Sequence, residues 1–600
     1  MATSNHYKSN LRDIYFNLFE VLDVDKNVLK HEPYTNLDEP MVREALKAFE
    51  MLCVEKIASS FAEGDQVPLK LDSDGNVHLP EGLKKSLKAF YDGDWHRFDA
   101  SEELGGFNAP RSVYWASFEM LVGANPPVAL YTFGAFCADL IGQMGTQAQA
   151  KRYRQGILDH RWGASMVLTE PDAGSDVGAG RSKARHLNDD VWEIEGVKRF
   201  ITNGDYDSAE NIVHLVLARP EGAEIGTKGL SLFIVPKFWV NEDGSLGERN
   251  GVYCTNIEKK MGIKGSATCE LTFGERGQAK GLLVGNVHDG IRQMFKIIER
   301  ARMAVGVKSM ATLSTAYLNA LDYCKSRVQG PDLLQAMDKN APRVRIIQHP
   351  DVRRMLMYQK SYAEGMRALC MYCAYMQDQA KLSDSKTDHQ LVDLLLPLVK
   401  GYNSEKAYQI LSDSLQCYGG SGYLHDYPIE QYMRDQKIDS LYEGTTHIQA
   451  LDLIFRKIAK NGAATLQILL EQMRDMLAAR KAKSVLEHEY EALEQALSDA
   501  ENILMQMMGK MGESLYYVGL YGNKILTGIA ELVIAWLLIK HAEVAAEKMS
   551  SASKEDKAFY EGKIASARFF CKDALPNLGV TKSMIEKSDL SLMDLPEEAF

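Results

Sequence analysis

Between about residues 161 and 280, the helical periodicity that governs most of this 600-residue chain gives way to short β-type runs. Ala164–Leu168, Trp192–Ile194, Ile212–Leu217 and Leu230–Val235 are rich in β-branched or aromatic residues and bounded by Gly, Pro, Asn or Asp. A chain built this way must set a sheet between helical segments. Upstream, Leu11, Ile14, Leu18, Val21 and Leu22 recur at helical spacing, as do Val42, Leu46, Phe49, Leu52 and Cys53. Asn125-Pro126-Pro127 breaks this pattern before a further apolar helix through Leu140. Long helical patterns return from about 285 to 460. The remainder, 461–600, spaces Leu486, Leu493, Leu497, Ile503, Met507 and Met511 as a further helical unit. The expected class is α+β, mostly α, in four parts: 1–160, 161–280, 281–460 and 461–600.

A formal net charge of −12 argues against a nucleic-acid surface, which needs clustered Lys and Arg. Nine scattered cysteines point to a reducing compartment rather than a disulfide framework. Cys370-x-x-Cys373 has no second pair and reads as buried thiols in a helix, so no metal site is expected. The start, Met1-Ala2-Thr3-Ser4-Asn5-His6, lacks the basic region and apolar core of a signal peptide. The longest apolar run, Leu532–Ile539, is flanked by Glu531 and Lys540 and falls far short of the roughly 20 residues that span a bilayer. A buried helix is expected there, and a cytoplasmic protein without integral membrane association.

Three blocks carry chemistry. Leu441-Tyr442-Glu443-Gly444-Thr445 places a carboxylate before a glycine that lets backbone approach a ligand closely. Upstream lie Gln416-Cys417-Tyr418-Gly419-Gly420-Ser421-Gly422-Tyr423 and Tyr432-Met433-Arg434-Asp435. Far upstream lies Leu168-Thr169-Glu170-Pro171-Asp172-Ala173-Gly174-Ser175-Asp176. Read alone, Glu443 is a helix-terminal carboxylate capped by glycine. In this order the three blocks resemble the acyl-CoA dehydrogenase family, flavoenzymes that desaturate acyl thioesters between Cα and Cβ. The resemblance covers about residues 10–460. Beyond that, length and helical character are similar to a long bacterial branch that includes 3-methylmercaptopropionyl-CoA dehydrogenases and broad-range fatty acyl-CoA dehydrogenases.

The resemblance implies an N-terminal helical domain with an extension, a middle β-barrel or sandwich, a four-helix bundle carrying the base, and an additional C-terminal helical domain. It implies FAD as cofactor and an acyl-CoA as substrate, giving a trans-2-enoyl-CoA. An electron-transfer flavoprotein is implied as acceptor, and a homo-oligomer, most simply a homodimer. Glu443 matches the family's catalytic base. The alternative base position found in some members falls at Ala301, which cannot take a proton. Glu299 and Arg302 match substrate-side positions, read either as pantetheine contacts or as a structural ion pair. Tyr442, Gly444 and Ser175 are further substrate-side matches. Met166, Leu168, Thr169, Gly174 and Ser175 match flavin and pyrophosphate contacts, while Phe200 and Thr202 match the element that covers the ring and bonds near N5. Arg327, Gln416, Gly419 and Gly420 match contacts to the FAD of a neighbouring subunit, followed by Thr445 and His447. His447 is read either as a flavin-side donor or as a satisfied structural histidine. An insertion, Asp332 to Arg343, departs from the family pattern beside Arg327.

An oxidase using oxygen, a DNA-associated flavin-retaining scaffold, and a purely helical interaction module are the rival readings. The acidic balance and an intact Glu443 disfavour the scaffold, and the β-rich centre disfavours the helical module.

Overall fold

The computed structural model describes residues 5–480 and 485–600, so the first four residues of the expected leaderless N-terminus lie outside it. The chain divides into two compact units. One holds Ala48–Ala109 and Met120–Ala301 with the described residues up to Tyr7; the other holds Lys8–Lys47, Pro110–Glu119 and Arg302–Phe600.

The first unit is built on an eight-stranded sheet. Its order runs Val252–Ile257, Thr268–Phe273, Val191–Thr202, Lys280–Leu283, Ser231–Pro236, Ile212–Pro220 and Gly163–Val167, with Lys183–Asn188 pairing off this path. Pairing is antiparallel except where Gly163–Val167 and Lys183–Asn188 each run parallel to Ile212–Pro220. The central strands read as near-continuous apolar runs because both faces are covered: every residue of Ser231–Pro236 is buried. The strand expected at Trp192–Ile194 is in fact twelve residues long. Its continuation is masked by alternating charges and by Gly196, whose φ of 146° and lack of a side chain let Ser182 pack against it. Asn125-Pro126-Pro127 starts a helix rather than a loop. The Asn125 side chain accepts from the Val128 N–H at 3.4 Å, and the prolines occupy positions whose missing N–H costs nothing.

The second unit is helical. From Arg302 on, the helix Gly290–Ser326 belongs to it, with Pro350–Ser383, Lys386–Pro397 and Asn403–Tyr418 as further long elements, followed by Ala464–Ala478, Glu487–Glu513, Tyr516–Lys548, Lys554–Asp573 and Pro576–Glu586. Leu532–Ile539 lies inside Tyr516–Lys548 and is buried throughout. By length and composition this helix could cross a membrane, a point the eight-residue run alone does not reveal, yet 89% of its most apolar window is buried inside the fold. A buried ionic network crosses the unit: Arg367 bonds Asp13 at 2.6 Å and Glu119 at 3.0 Å, and Lys563 also reaches Asp13. All nine cysteines are free and buried, and burial pushes the Cys373 thiol up to about 12.

Candidate active site

In the first unit, the strand Gly163–Val167 runs out into a loop that returns at Lys183. Met166, Leu168 and Thr169 are half-buried along this exit, while Gly174 and Ser175 are exposed at the turn. One ion pair fixes the loop. The Lys198 ammonium, 2% exposed, donates to Glu170 Oε1 at 2.8 Å and to the Leu168 carbonyl at 2.8 Å. Glu170 also accepts from the N–H groups of Arg181 at 2.5 Å and Ser182 at 3.1 Å. Burial pushes its carboxyl up, but Lys198 and these donors outweigh that and leave it below the usual range. The Arg199 N–H donates to the Thr169 carbonyl at 2.9 Å, so the exit side of the loop is tied to one strand through both Lys198 and Arg199.

On that strand Phe200 sits in a β-bulge. Ile201 pairs with Cys269 and Lys198 with Leu271, so Arg199 and Phe200 together oppose a single residue. The bulge gives Phe200 a φ of 60°, a left-handed conformation uncommon for an aromatic residue. Its ring is left 55% exposed beneath the Arg199 guanidinium at 4.9 Å. Thr202 follows, half-buried.

In the second unit, Glu443 is half-buried with φ 55°, and Gly444 follows with φ 88°. Thr445 ends this turn and caps the next helix, accepting from the Ile448 N–H at 3.3 Å. Two side chains grip the strained peptides: Lys400 donates to the Gly444 carbonyl, and Gln449 donates to the carbonyls of Glu443 at 3.2 Å and Gly444 at 3.3 Å. The Tyr442 hydroxyl is held by Asp439 at 2.9 Å, itself ion-paired with buried Lys308 at 2.8 Å. Burial raises the Glu443 carboxyl above the usual carboxylate range, opposed by the nearby charges of Lys400 and Arg302. Arg302 bonds Asp452 at 2.8 Å and is one of the charges acting on Glu443. Glu299 lies three residues earlier on the same helix, half-buried, and Ala301 between them is buried. His447 contacts Asn523 through Nδ1 at 3.2 Å.

Arg327, Gln416, Gly419 and Gly420 are exposed. Stacking of Tyr323 on Tyr418, with ring centroids 4.3 Å apart, brings the helix ends that precede Arg327 and Gly419 together. The insertion Asp332 to Arg343 is closed as a hairpin by its flanks, with Val328 opposite Arg345 and Pro331 opposite Arg343, and has an apolar tip where Leu334 and Met337 are each 97% exposed. Glu170, Lys198, Lys400 and Gln449 escaped the sequence reading as site residues. The one available signal was a lone lysine within the apolar stretch Leu394–Tyr402. Among the described residues, no group of three His, Cys, Asp or Glu side chains is placed to hold a metal.

The geometry can be set beside known proteins. Residues 165–275 match the model described as acyl-CoA dehydrogenase, middle domain, and 288–459 the acyl-CoA dehydrogenase C-terminal domain. Residues 469–596 match a model described as acetyl-CoA dehydrogenase C-terminal like. A broad-specificity linear acyl-CoA dehydrogenase of Mycobacterium tuberculosis is 50% identical over 99% of this chain and 100% of its own length. A 3-methylmercaptopropionyl-CoA dehydrogenase of Ruegeria pomeroyi is 34% identical over 98% of this chain and 99% of its own. Among solved structures, Caenorhabditis elegans ACDH-11 in complex with C11-CoA superposes with a TM-score of 0.74 at 19% identity, covering 93% of this chain and 91% of that one. A Bacillus anthracis acyl-CoA dehydrogenase complexed with FAD gives 0.72 at 20% identity, covering 93% and 90%. These structures share the fold, and the full-length identity to the curated enzymes goes further: the chain belongs to the acyl-CoA dehydrogenase family of oxidoreductases.

Proposed function

We propose that this chain catalyses FAD-dependent α,β-dehydrogenation of a linear acyl-CoA to the trans-2-enoyl-CoA, with Glu443 as the base that takes the α-proton. The observation that carries this reading is the state of Glu443. Its carboxyl stands above the usual carboxylate range because it is buried, yet it keeps partial access at a backbone turn held from two sides. A general base works best when its pKa approaches the operating pH, and burial moves a carboxyl in that direction.

The residues matched to FAD have the features such a group needs. A Cβ built on Gly174, Gly419 or Gly420 would meet nothing within 4 Å, which leaves room for phosphate or ribose against backbone. Phe200 presents an exposed ring, Thr202 ends the same strand two residues on, and the Thr169 carbonyl accepts from the N–H of the adjoining Arg199. When bound, FAD supplies the acceptor for the β-hydride. The first unit's Met166, Leu168, Thr169, Gly174, Ser175, Phe200 and Thr202 hold it, with Ser175 also toward the thioester. Arg327, Gln416, Gly419 and Gly420, exposed in the single chain, bind the FAD of a second copy, which makes a homodimer the working assembly. Thr445 and His447 complete that set. Tyr442, Gly444, Glu299 and Arg302 line the substrate side, and the Glu443 N–H polarises the thioester oxygen. Electrons leave to an electron-transfer flavoprotein in the cytoplasm. The four-part division at about 160, 280 and 460 is retained as the domain organisation.

The test is anaerobic mixing of purified yellow protein with saturated linear acyl-CoA esters of graded length, following flavin absorbance and the enoyl product. Bleaching with stoichiometric trans-2-enoyl-CoA supports the reading. A preparation that takes up no FAD, or is bleached without enoyl product, overturns it.

A further inference from the structure

Lys400 is a buried cation whose contacts are unusual. Its side chain is fully buried, and among the described residues no carboxylate lies within ion-pair distance of its ammonium. Its hydrogen bond goes to the Gly444 carbonyl. Buried lysines ordinarily have a carboxylate partner, as Lys308 has Asp439 and Lys198 has Glu170 in this same chain. A buried ammonium held by a carbonyl alone is expensive to keep, so its placement calls for a reason.

The backbone places it deliberately. Pro397 ends the regular ladder of Lys386–Pro397 by removing a donor, and Leu398–Tyr402 winds on as a π turn. Next to Lys400, Gly401 lets the helix Thr446–Leu451 come close, since a Cβ there would stand 3.1 Å from the Cβ of Gln449. Lys400 and Gln449 thereby reach the Gly444 unit from separate helices, and Gln449 also holds the Glu443 unit. Those units are the left-handed pair Glu443–Gly444, a conformation a glutamate holds only when its surroundings impose it.

We propose that Lys400 is a positioning residue for Glu443: with Gln449 it fixes the turn that aims the carboxyl, and its ammonium sets the field in which that carboxyl works. The inference rests on Glu443 being the base. The charged groups facing Lys400 are Asp439, Glu443, Arg302 and Glu405, and those acting on Glu443 are Lys400 and Arg302. Asp439 is paired with Lys308 and Arg302 with Asp452, so of the two cations acting on Glu443, Lys400 is the one with no carboxylate of its own among the described residues. Burial lowers Lys400 itself to about 8, so it is charged through neutral pH. Removing this cation raises the Glu443 carboxyl. The acid limb of the proton-abstraction rate then moves to higher pH.

The experiment uses the FAD-loaded protein and follows the pH dependence of anaerobic flavin reduction by acyl-CoA in wild type, Lys400→Met, Lys400→Arg and Gln449→Leu. A second readout independent of turnover is the infrared band of the protonated carboxyl that disappears in Glu443→Gln, titrated in each variant. Lys400→Met should shift both the acid limb and the band midpoint upward, and Lys400→Arg should restore them. Gln449→Leu should lower the limiting rate at least tenfold with the midpoint in place. An unchanged midpoint in Lys400→Met, or a limiting rate in Gln449→Leu equal to wild type, overturns the proposal. If Lys400→Met does not load FAD, the Gln449→Leu rate and the Lys400→Arg midpoint still decide. Glu443→Gln separates the two claims, because full-rate reduction by that variant removes the base assignment itself, whatever Lys400 does.

Discussion

Replacing Lys198 by Met tests how the loop proposed to hold flavin is fixed. The pair it breaks is buried on both sides, with Lys198 Nζ and Glu170 Oε1 2.8 Å apart. Removing one member of such a pair costs about 3–5 kcal/mol, because the other charge stays buried. Glu170 keeps its bonds from the Arg181 and Ser182 N–H groups, so the low end, about 3 kcal/mol, applies here. The Leu168 carbonyl loses its ammonium partner at the same time. If the loss appears as loop opening, about 3 kcal/mol changes the opening equilibrium roughly a hundredfold. The apparent Kd for FAD then rises by up to that factor, because only the closed loop is competent. The assay is apoprotein titration with FAD by fluorescence quenching, alongside thermal melting. Glu170→Gln combined with Lys198→Met removes the stranded charge while keeping an acceptor for the two N–H groups, and should recover most of the loss. A Lys198→Met protein that binds FAD as tightly as wild type and melts at the same temperature would refute this account of the loop.

Other outcomes follow from the same structure. Arg367→Met leaves Asp13 and Glu119 without their shared guanidinium, a loss of about 3–5 kcal/mol. At roughly 2 cal/mol/K per residue over about 350 residues, this lowers the melting temperature of the helical unit by about 5 °C in calorimetry. Asp378, which accepts from the N–H groups of Arg111 at 2.6 Å and Ser112 at 2.9 Å, is pushed up to about 6 by burial. The folded state therefore holds a proton that the unfolded chain releases near pH 4, so this group's contribution to stability falls as pH rises from about 4 to 6. Asp378→Asn should flatten that part of a melting-temperature profile, and an unchanged slope would count against it. Acyl-CoA turnover with an electron-transfer flavoprotein should proceed with little peroxide; stoichiometric peroxide in air would favour an oxidase.

The broad architecture was legible because periodicity reports which faces are buried. Ile212–Leu217 and Leu230–Val235 lie within a residue or a few of observed strands, and Leu493, Leu497, Ile503 and Met507 are all buried along one helix. Phe200 could be matched by type, but its outward aim depends on a register shift against Thr268–Phe273, which no local pattern encodes. Lys400 and Gln449 were invisible for a similar reason. Their partners are carbonyls, which carry no residue identity, and although Gln449 is local to the turn, Lys400 meets Gly444 only through packing of segments 44 residues apart. The insertion Asp332 to Arg343 could be located in the sequence but not shaped, because the flanking strands that close it as a hairpin are only four and three residues long.

The most direct measurement of the central claim is the rate of anaerobic flavin reduction in Glu443→Gln at saturating acyl-CoA. The account predicts an FAD-loaded protein with wild-type melting behaviour whose reduction is slowed by at least three orders of magnitude. Reduction within tenfold of wild type would contradict it.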